Sequence, residues 1–203
     1  MMRVNGDIML RSILLQGAFT GFIFLSAGQG DVTLAANQVL LQFLEITAYG
    51  LDGFAFAAES LVGQAVGARS VPAVRRASVV TSQWGVAGAL ALGIFFWAAG
   101  PAIIDLMTTE PGVRAEARAY LAWAVAAPVI GIASWMFDGI FIGATRSREM
   151  RNSAAISVLV YAAAVAGLWG LGNHGLWAAL MVMNVTRAVT LGAVYGRVER
   201  AAA

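Results

Sequence analysis

The 203-residue chain has no cysteine and no lysine, one histidine and four prolines, and only 12% of its residues are charged. Without cysteine it can build neither a disulfide framework nor a thiolate metal site, and its redox compartment leaves no trace. Charge this sparse, against 60% hydrophobic residues and a mean hydropathy of +0.76, excludes a soluble domain of this size. The basic residues are all arginines placed in short connections rather than in one patch, so the high pI implies no nucleic-acid partner. No metal and no organic cofactor is expected.

What the sequence does contain is a series of apolar runs near the roughly 20 residues that a helix needs to cross a bilayer. Six spans are expected: Ile8 to Ser26, Val32 to Val66, Val74 to Ala99, Ala115 to Ala144, Ser153 to Leu171 and Leu176 to Tyr195. The fold class is therefore an all-α membrane protein, a six-transmembrane-helix bundle forming a single domain over residues 1–203, with no internal repeat. Arg3 and Arg11 flank the first apolar run in the manner of a signal peptide, but Gln16 interrupts it and five more spans follow, so that run reads as a retained helix. If the spans alternate across the bilayer, every arginine except Arg114 and Arg118 falls on one side, which places both termini in the cytoplasm at the cell membrane. The connection from Ala68 to Ser78 is basic and broken by Pro72. The stretch Gly100 to Tyr120 mixes acid and base, and a short amphipathic interfacial helix is expected there.

Against this background the segment "LQFLEITAYGLDGFAFAAES", Leu41 to Ser60, stands out because it holds Glu45, Asp52 and Glu59. A carboxylate at the centre of a membrane helix costs roughly 2.5 to 3.5 kcal/mol, and each leucine returns only about 0.3 to 0.6. With Gln38 the acids recur at every seventh residue, so on a helix they drift only about 20° per step and form one polar stripe, with Gln42 beside it. The span is roughly 50 Å long, more than a 30 Å hydrocarbon core, so it must tilt, bend near Gly50 and Gly53, or project. A fourth acid, Asp138, is alone in its span, about two turns before Arg146, and Pro128 upstream could break that helix. Desolvation of such carboxyls suits proton carriage near neutral pH. Asp138, Asp52 and Glu45 are thus candidate cation- or proton-binding residues, with Gln38, Gln42 and Trp135 lining a substrate cavity. Glu59 and Arg146, close to the basic loops, are assigned structural roles. Gly17 with Gly21, and Gly63 with Gly67, have the spacing of helix-packing pairs. His174 reads as a turn residue, and most of the tryptophans as interface anchors.

The stretches "GDVTLAANQVLLQFLEITAYGLDGFAFAAESLVGQAVGA", "WMFDGIFIGATRSREMRN" and "GNHGLWAALMVMNVTRAVTLG" together cover most of the chain. They resemble the C-terminal half of the multidrug and toxic compound extrusion (MATE) family, in its DinF-like branch. The resemblance implies a twelve-helix antiporter of two six-helix bundles around a central cavity. Such a transporter would exchange protons or sodium for small organic or cationic substrates, and this chain would supply one half. It also implies that "LVGQAVGAR" is the turn that ends the long second helix, and that Asp138 is the acid of the tenth helix used for cation binding in some members. The chain lacks the N-terminal bundle with its first-helix aspartate. Its own first span carries Gln16 where sodium-coupled relatives have an acid, which favours protons as the coupling ion. A missing six-helix half, or a second copy, is therefore the expected protein partner, alongside membrane lipid. Two alternatives are an inactive truncated half and a lipid-linked sugar flippase of the same superfamily, which would carry more cavity arginines. Asp52 and Asp138 both precede glycine, as in intramembrane aspartyl proteases, but the flanking "YGLDG" and "MFDGI" lack that group's motifs, and no enzyme is expected.

Overall fold

The computed structural model describes residues 2–203, with side chains from residue 5 onward. The Arg3 side chain, expected at the basic end of the first span, lies outside the described residues. Six long helices follow one another: α1 (Met2–Ala27), α2 (Asp31–Gly67), α3 (Val71–Met107), α4 (Pro111–Gly143), α5 (Ser147–Leu168) and α6 (Asn173–Ala193). A single 3-10 turn, Trp169–Leu171, precedes α6, and a one-turn α7 (Gly196–Glu199) follows it. All six long helices are apolar enough to cross a membrane, and no strand occurs among the described residues.

Four expectations are corrected. The connection expected from Ala68 to Ser78 and broken by Pro72 is only Ala68 to Ser70, because α3 begins at Val71 and Pro72 stands in its first turn. No separate interfacial helix lies between Gly100 and Tyr120: α3 runs on to Met107 and α4 begins at Pro111. The charges expected on an amphipathic helix instead tie the two helix ends together. Arg118 Nη2 donates to Asp105 at 2.5 Å, and Arg114 Nε donates to the Thr108 carbonyl at 2.7 Å. Pro111 stands at the start of α4, where a missing N–H costs nothing. Pro128, expected to break the helix that carries Asp138, lies inside an α4 that continues to Gly143. The residues Asn5–Arg11, which the first expected span only half included, are helical as well. Asp7 therefore belongs to α1, and Arg151 Nη1 of α5 donates to it at 2.6 Å.

The helices fall into two groups. α2, α3 and α4 pack on one another, α5 packs on both α1 and α6, and α4 against α6 joins the groups. One buried cluster, around Phe22, Phe43, Phe96 and Trp177, fills the end near the α1–α2 and α3–α4 turns. Its rings meet edge to face, Phe22 with Trp177 at 5.1 Å and Phe43 with Phe96 at 5.0 Å. Trp177 is thus a core residue, unlike the outward-facing Trp84, Trp97 and Trp169. A buried polar clasp ties the same end: Asn37 Nδ2 donates to Asn173 Oδ1 at 2.7 Å and to Ser26 Oγ at 2.8 Å, and Trp177 Nε1 donates to Asn37 Oδ1 at 2.8 Å. The second cluster, around Leu51, Met136, Phe141 and Leu191, fills the arginine-rich end. At that end α7 is held by two hydrogen bonds from Arg75 to Glu199, at 2.7 and 2.8 Å. Those bonds hold the Glu199 carboxyl below the usual carboxylate range, so the tie is present at neutral pH and is lost only as pH falls through that lowered value.

Helix packing by small residues occurs, but not at the pairs expected. A Cβ added to Gly17, Gly21 or Gly67 would meet nothing within 4 Å, and one on Gly63 would only touch Gly143. The tight crossing is instead made by Gly139 and Gly143 of α4. A Cβ on Gly139 would overlap the Ala55 carbonyl, 2.9 Å from its carbon, and one on Gly143 would overlap that of Glu59, 3.1 Å from its carbon. α2 and α4 therefore touch backbone to backbone, a spacing that any side chain at these two positions forbids.

α2 and α4 also end in the same turn. Arg69 and Thr145 both take positive φ, 51° and 56°. Ser70 N then donates to Ala65 O at 3.1 Å, and Arg146 N to Phe141 O at 2.9 Å, in the wrap-back that satisfies the last carbonyls of a helix. "GARS" (Gly67–Ser70) and "GATR" (Gly143–Arg146) are the sequence trace of this shared turn. It is a local repetition inside a chain expected to have none.

Candidate functional site

α2 presents its stripe outward. Gln38, Gln42, Glu45 and Asp52 are exposed on the surface of this bundle and Glu59 is half-buried, whereas Leu40, Phe43, Thr47, Leu51 and Ala58 on the opposite face are buried. The spacing that placed these residues on one face of the helix is thereby met. Two cavities open along the stripe. The one nearer the arginine-rich end, about 290 Å³, is lined by Asp52 and Glu59 of α2, Arg11 of α1, Trp135 and Asp138 of α4 and Arg187 of α6. Its neighbour, also about 290 Å³, is lined by Gln16, Glu45, Trp135, Asn184 and Arg187 among others. Trp135 and Arg187 belong to both and stand between them. Gln38 and Gln42 lie further along the exposed face, outside either lining.

The chemistry centres on Asp138. It is not isolated: Arg11 Nη2 and Arg187 Nη2 both donate to its Oδ2, from helices α1 and α6. The side chains of Asp138 and Arg187 are 11% and 6% exposed. Two arginines that sequence order assigns to the basic ends of their spans thus reach inside the bundle. At 1.5 Å per residue, Arg11 lies roughly 9 Å in from Asn5, Asp138 roughly 8 Å from the end of α4 and Arg187 roughly 9 Å from the end of α6. The three meet at one level. No protein hydrogen bond reaches Asp138 Oδ1 among the described residues, and neither Asp52 nor Glu59 has an ion-pair partner there. The cavity nearer the arginine-rich end therefore holds three acids and two arginines; both arginines pair with Asp138, and the other two acids have no ion-pair partner among the described residues.

This pairing also links helices that otherwise scarcely meet. α1 packs on α5, with lesser contact to α2 and α6, so the Arg11–Asp138 pair is its principal link to α4. Arg146, expected near this region, stands at the start of α5. Glu59, assigned a structural role close to the basic loop, lines the cavity. His174 lies in the first turn of α6, where its Nδ1 accepts from Trp123 Nε1 at 3.0 Å. Arg11 and Arg187 are the functional candidates that sequence order hides. The available signal was their cost: an arginine six residues inside an apolar helix needs a buried partner.

The MatE family model matches residues 8–167. The chain is 42% identical over 200 residues to DNA damage-inducible protein F of Escherichia coli, covering 97% of this chain and 43% of that protein. It is 23% identical to Protein DETOXIFICATION 45, chloroplastic, of Arabidopsis thaliana, over 93% of this chain and 34% of that one. Among solved structures, a MATE protein in complex with MaD5 superposes with a TM-score of 0.87 at 17% identity, over 98% of this chain and 45% of its own. The Vibrio cholerae MATE transporter VcmN in its bent form gives 0.85 at 16% identity, over 97% and 45%. The chain thus spans about half the length of the proteins it matches or less.

Proposed function

Because the chain belongs to the MatE family, we propose that its six helices are one half of an efflux transporter that exchanges a coupling cation, most simply the proton, for small organic or cationic compounds. The observation that carries this reading is the Arg11–Asp138–Arg187 cluster, set in a cavity beneath the exposed acidic face of a membrane helix. A proton that binds the open Oδ1 of Asp138 neutralises the carboxylate and so weakens its hold on both guanidinium groups. Ion binding and loosening of the joint between α1, α4 and α6 then become one event, as a coupled transporter requires. Asp52 and Glu45, unpaired and exposed, are proposed to face the substrate, with Trp135 between them. Exposed carboxyls in hydrocarbon would cost several kcal/mol, so the face bearing Gln38, Glu45 and Asp52 is proposed to be covered by another six-helix bundle across a water-filled cavity.

The test is substrate efflux by the assembled transporter under an imposed pH gradient, normalised to folded protein in the membrane. Asp138→Asn is expected to abolish efflux at every pH, and Glu59→Gln to retain most of it. Full pH-dependent efflux by Asp138→Asn would remove the residue from the mechanism. The two arginines inside the cavity also favour a second reading, transport of an anionic amphiphile such as a lipid-linked sugar. Transport of an anionic but not a cationic probe would select it.

The absence of cysteine allows the geometry to be tested directly. Single cysteines at Thr145, Glu110 and Glu45 are expected to react with a membrane-impermeant maleimide from the cytoplasm only, from outside only, and from an aqueous cavity, respectively. Labelling of Thr145→Cys from outside would invert the proposed orientation. An inert Glu45→Cys would mean that the stripe faces lipid or packed protein.

A further inference from the structure

A groove of about 760 Å³ opens on the flank of the bundle between α3, α4 and α6, away from the α2 stripe. Its walls include Val79 and Val86 of α3, Phe137 and Ile140 of α4 and Gly192 of α6, and its head lies at the arginine-rich end. From Arg75 to Val86 it runs eleven residues along α3, roughly 16 Å, about the length of an extended chain of a dozen methylenes. The neighbouring outward side chains, Val80, Trp84 and Leu90, are apolar or aromatic and continue a hydrocarbon-facing surface. An occupant at this depth has to be largely apolar.

Two features at the head point to the rest of that occupant. Arg75 gives Nε and Nη2 to Glu199, which orients the guanidinium and leaves Nη1 without a protein partner among the described residues. Arg197 and Arg200 flank Glu199, and Arg197 in turn pairs with Glu149 at 3.4 Å, so with Arg75 three arginines stand against two carboxylates around the mouth. Ser78, one turn deeper and 6% exposed, lines the groove, and its hydroxyl has no hydrogen-bond partner among the described residues. A buried hydroxyl left in this state costs free energy unless an acceptor arrives.

We propose that this groove is a binding site for an anionic phospholipid, with an acyl chain along Val79, Val86, Phe137 and Ile140, the phosphodiester at Arg75, and a glycerol ester oxygen accepting from Ser78. The site is separate from the transport cavity and stands whether or not the transport reading holds. Basic pockets at the cytoplasmic ends of membrane helices select acidic headgroups in this way.

Native mass measurement of lipid retained by the protein in its native assembly, washed in detergent and offered phosphatidylglycerol or phosphatidylcholine, tests the proposal. Phosphatidylglycerol is expected to be retained about five-fold better, the ratio that one basic residue near an acidic headgroup supplies. Arg75→Gln should reduce the ratio to about one by lowering phosphatidylglycerol retention more than that of phosphatidylcholine, whose phosphodiester is offset by its own choline cation, and Arg75→Lys should keep most of the preference. Arg76→Gln, which lies outside the groove lining, should leave it intact. Gly192→Leu, which fills the groove beside Phe137, should lower retention of both lipids. Equal retention of the two lipids by the unmodified protein, or a preference unaffected by Arg75→Gln, would overturn the proposal.

Discussion

Asp138→Asn is expected to destabilise the protein by about 3 to 5 kcal/mol, because it withdraws the carboxylate that, among the described residues, alone pairs with Arg11 and Arg187, and strands a guanidinium that is 6% exposed. A reading in which Asp138 is alone in its span would leave expression unchanged by this substitution. The ion cluster reverses that expectation. The measurement is a double-mutant cycle on thermal unfolding in detergent with Asp138→Asn, Arg187→Gln and the pair together. The double variant should be more stable than the sum of the singles predicts, with a coupling of about 2 to 3 kcal/mol, the upper part of the range for residues in one ionic network. Additive losses would mean that the two side chains do not interact in the protein. The result also calibrates the transport assay, since loss of efflux by Asp138→Asn is informative only per folded molecule.

The second large effect concerns a glycine. In a helix interior, glycine to alanine is ordinarily stabilising by about 0.5 to 1 kcal/mol. At Gly139 the sign should reverse. The added methyl would overlap the Ala55 carbonyl, which belongs to a helix backbone and cannot rotate aside as a side chain could. Overpacking of this kind costs about 1 to 3 kcal/mol or more, so Gly139→Ala is expected to lower the unfolding temperature by several degrees, and Gly139→Leu to prevent assembly of α2 on α4. Gly17→Ala, whose Cβ meets nothing within 4 Å, is the control and should be neutral or slightly stabilising. An unchanged unfolding temperature for Gly139→Ala would show that α2 and α4 are further apart than described.

Helix number and the outward stripe were legible in the sequence because both depend on periodicity within one segment: apolar length for the spans, and the seven-residue recurrence of Gln38, Glu45, Asp52 and Glu59 for the face. Pairing between segments was not legible. Gly17 and Gly21 have the same spacing as Gly139 and Gly143, and only the approach of a second backbone distinguishes a packing pair from an idle one. Arg11 and Arg187 were read as topology markers because counting positive charge treats every arginine near a span end alike. Whether such a residue points to the headgroups or into the bundle depends on a distant partner, 127 positions away for Arg11 and 49 for Arg187. Proline misled twice: Pro128, expected to break its helix, sits inside a continuous one, and Pro72, expected to break a connection, stands in the first turn of α3. Neighbouring helices and side chains can resatisfy the carbonyl that a membrane proline frees, so the residue is a weaker stop signal than in water.

The cluster of Arg11, Asp138 and Arg187 also sets an order for biosynthesis. Arg11 is separated from its carboxylate by 127 residues, and Asp138 from Arg187 by 49. At about 5 to 20 residues per second, a ribosome takes roughly 6 to 25 s to reach Asp138 after making Arg11. During that time the first helix carries an uncompensated guanidinium that costs roughly 2.5 to 3.5 kcal/mol in hydrocarbon. Its position in the bilayer is therefore provisional, held at the insertion machinery or the interface, until α4 emerges. α4 brings the carboxylate that neutralises Arg11, and α6 then adds a second guanidinium to the same carboxylate, so the finished cluster carries one positive charge in excess.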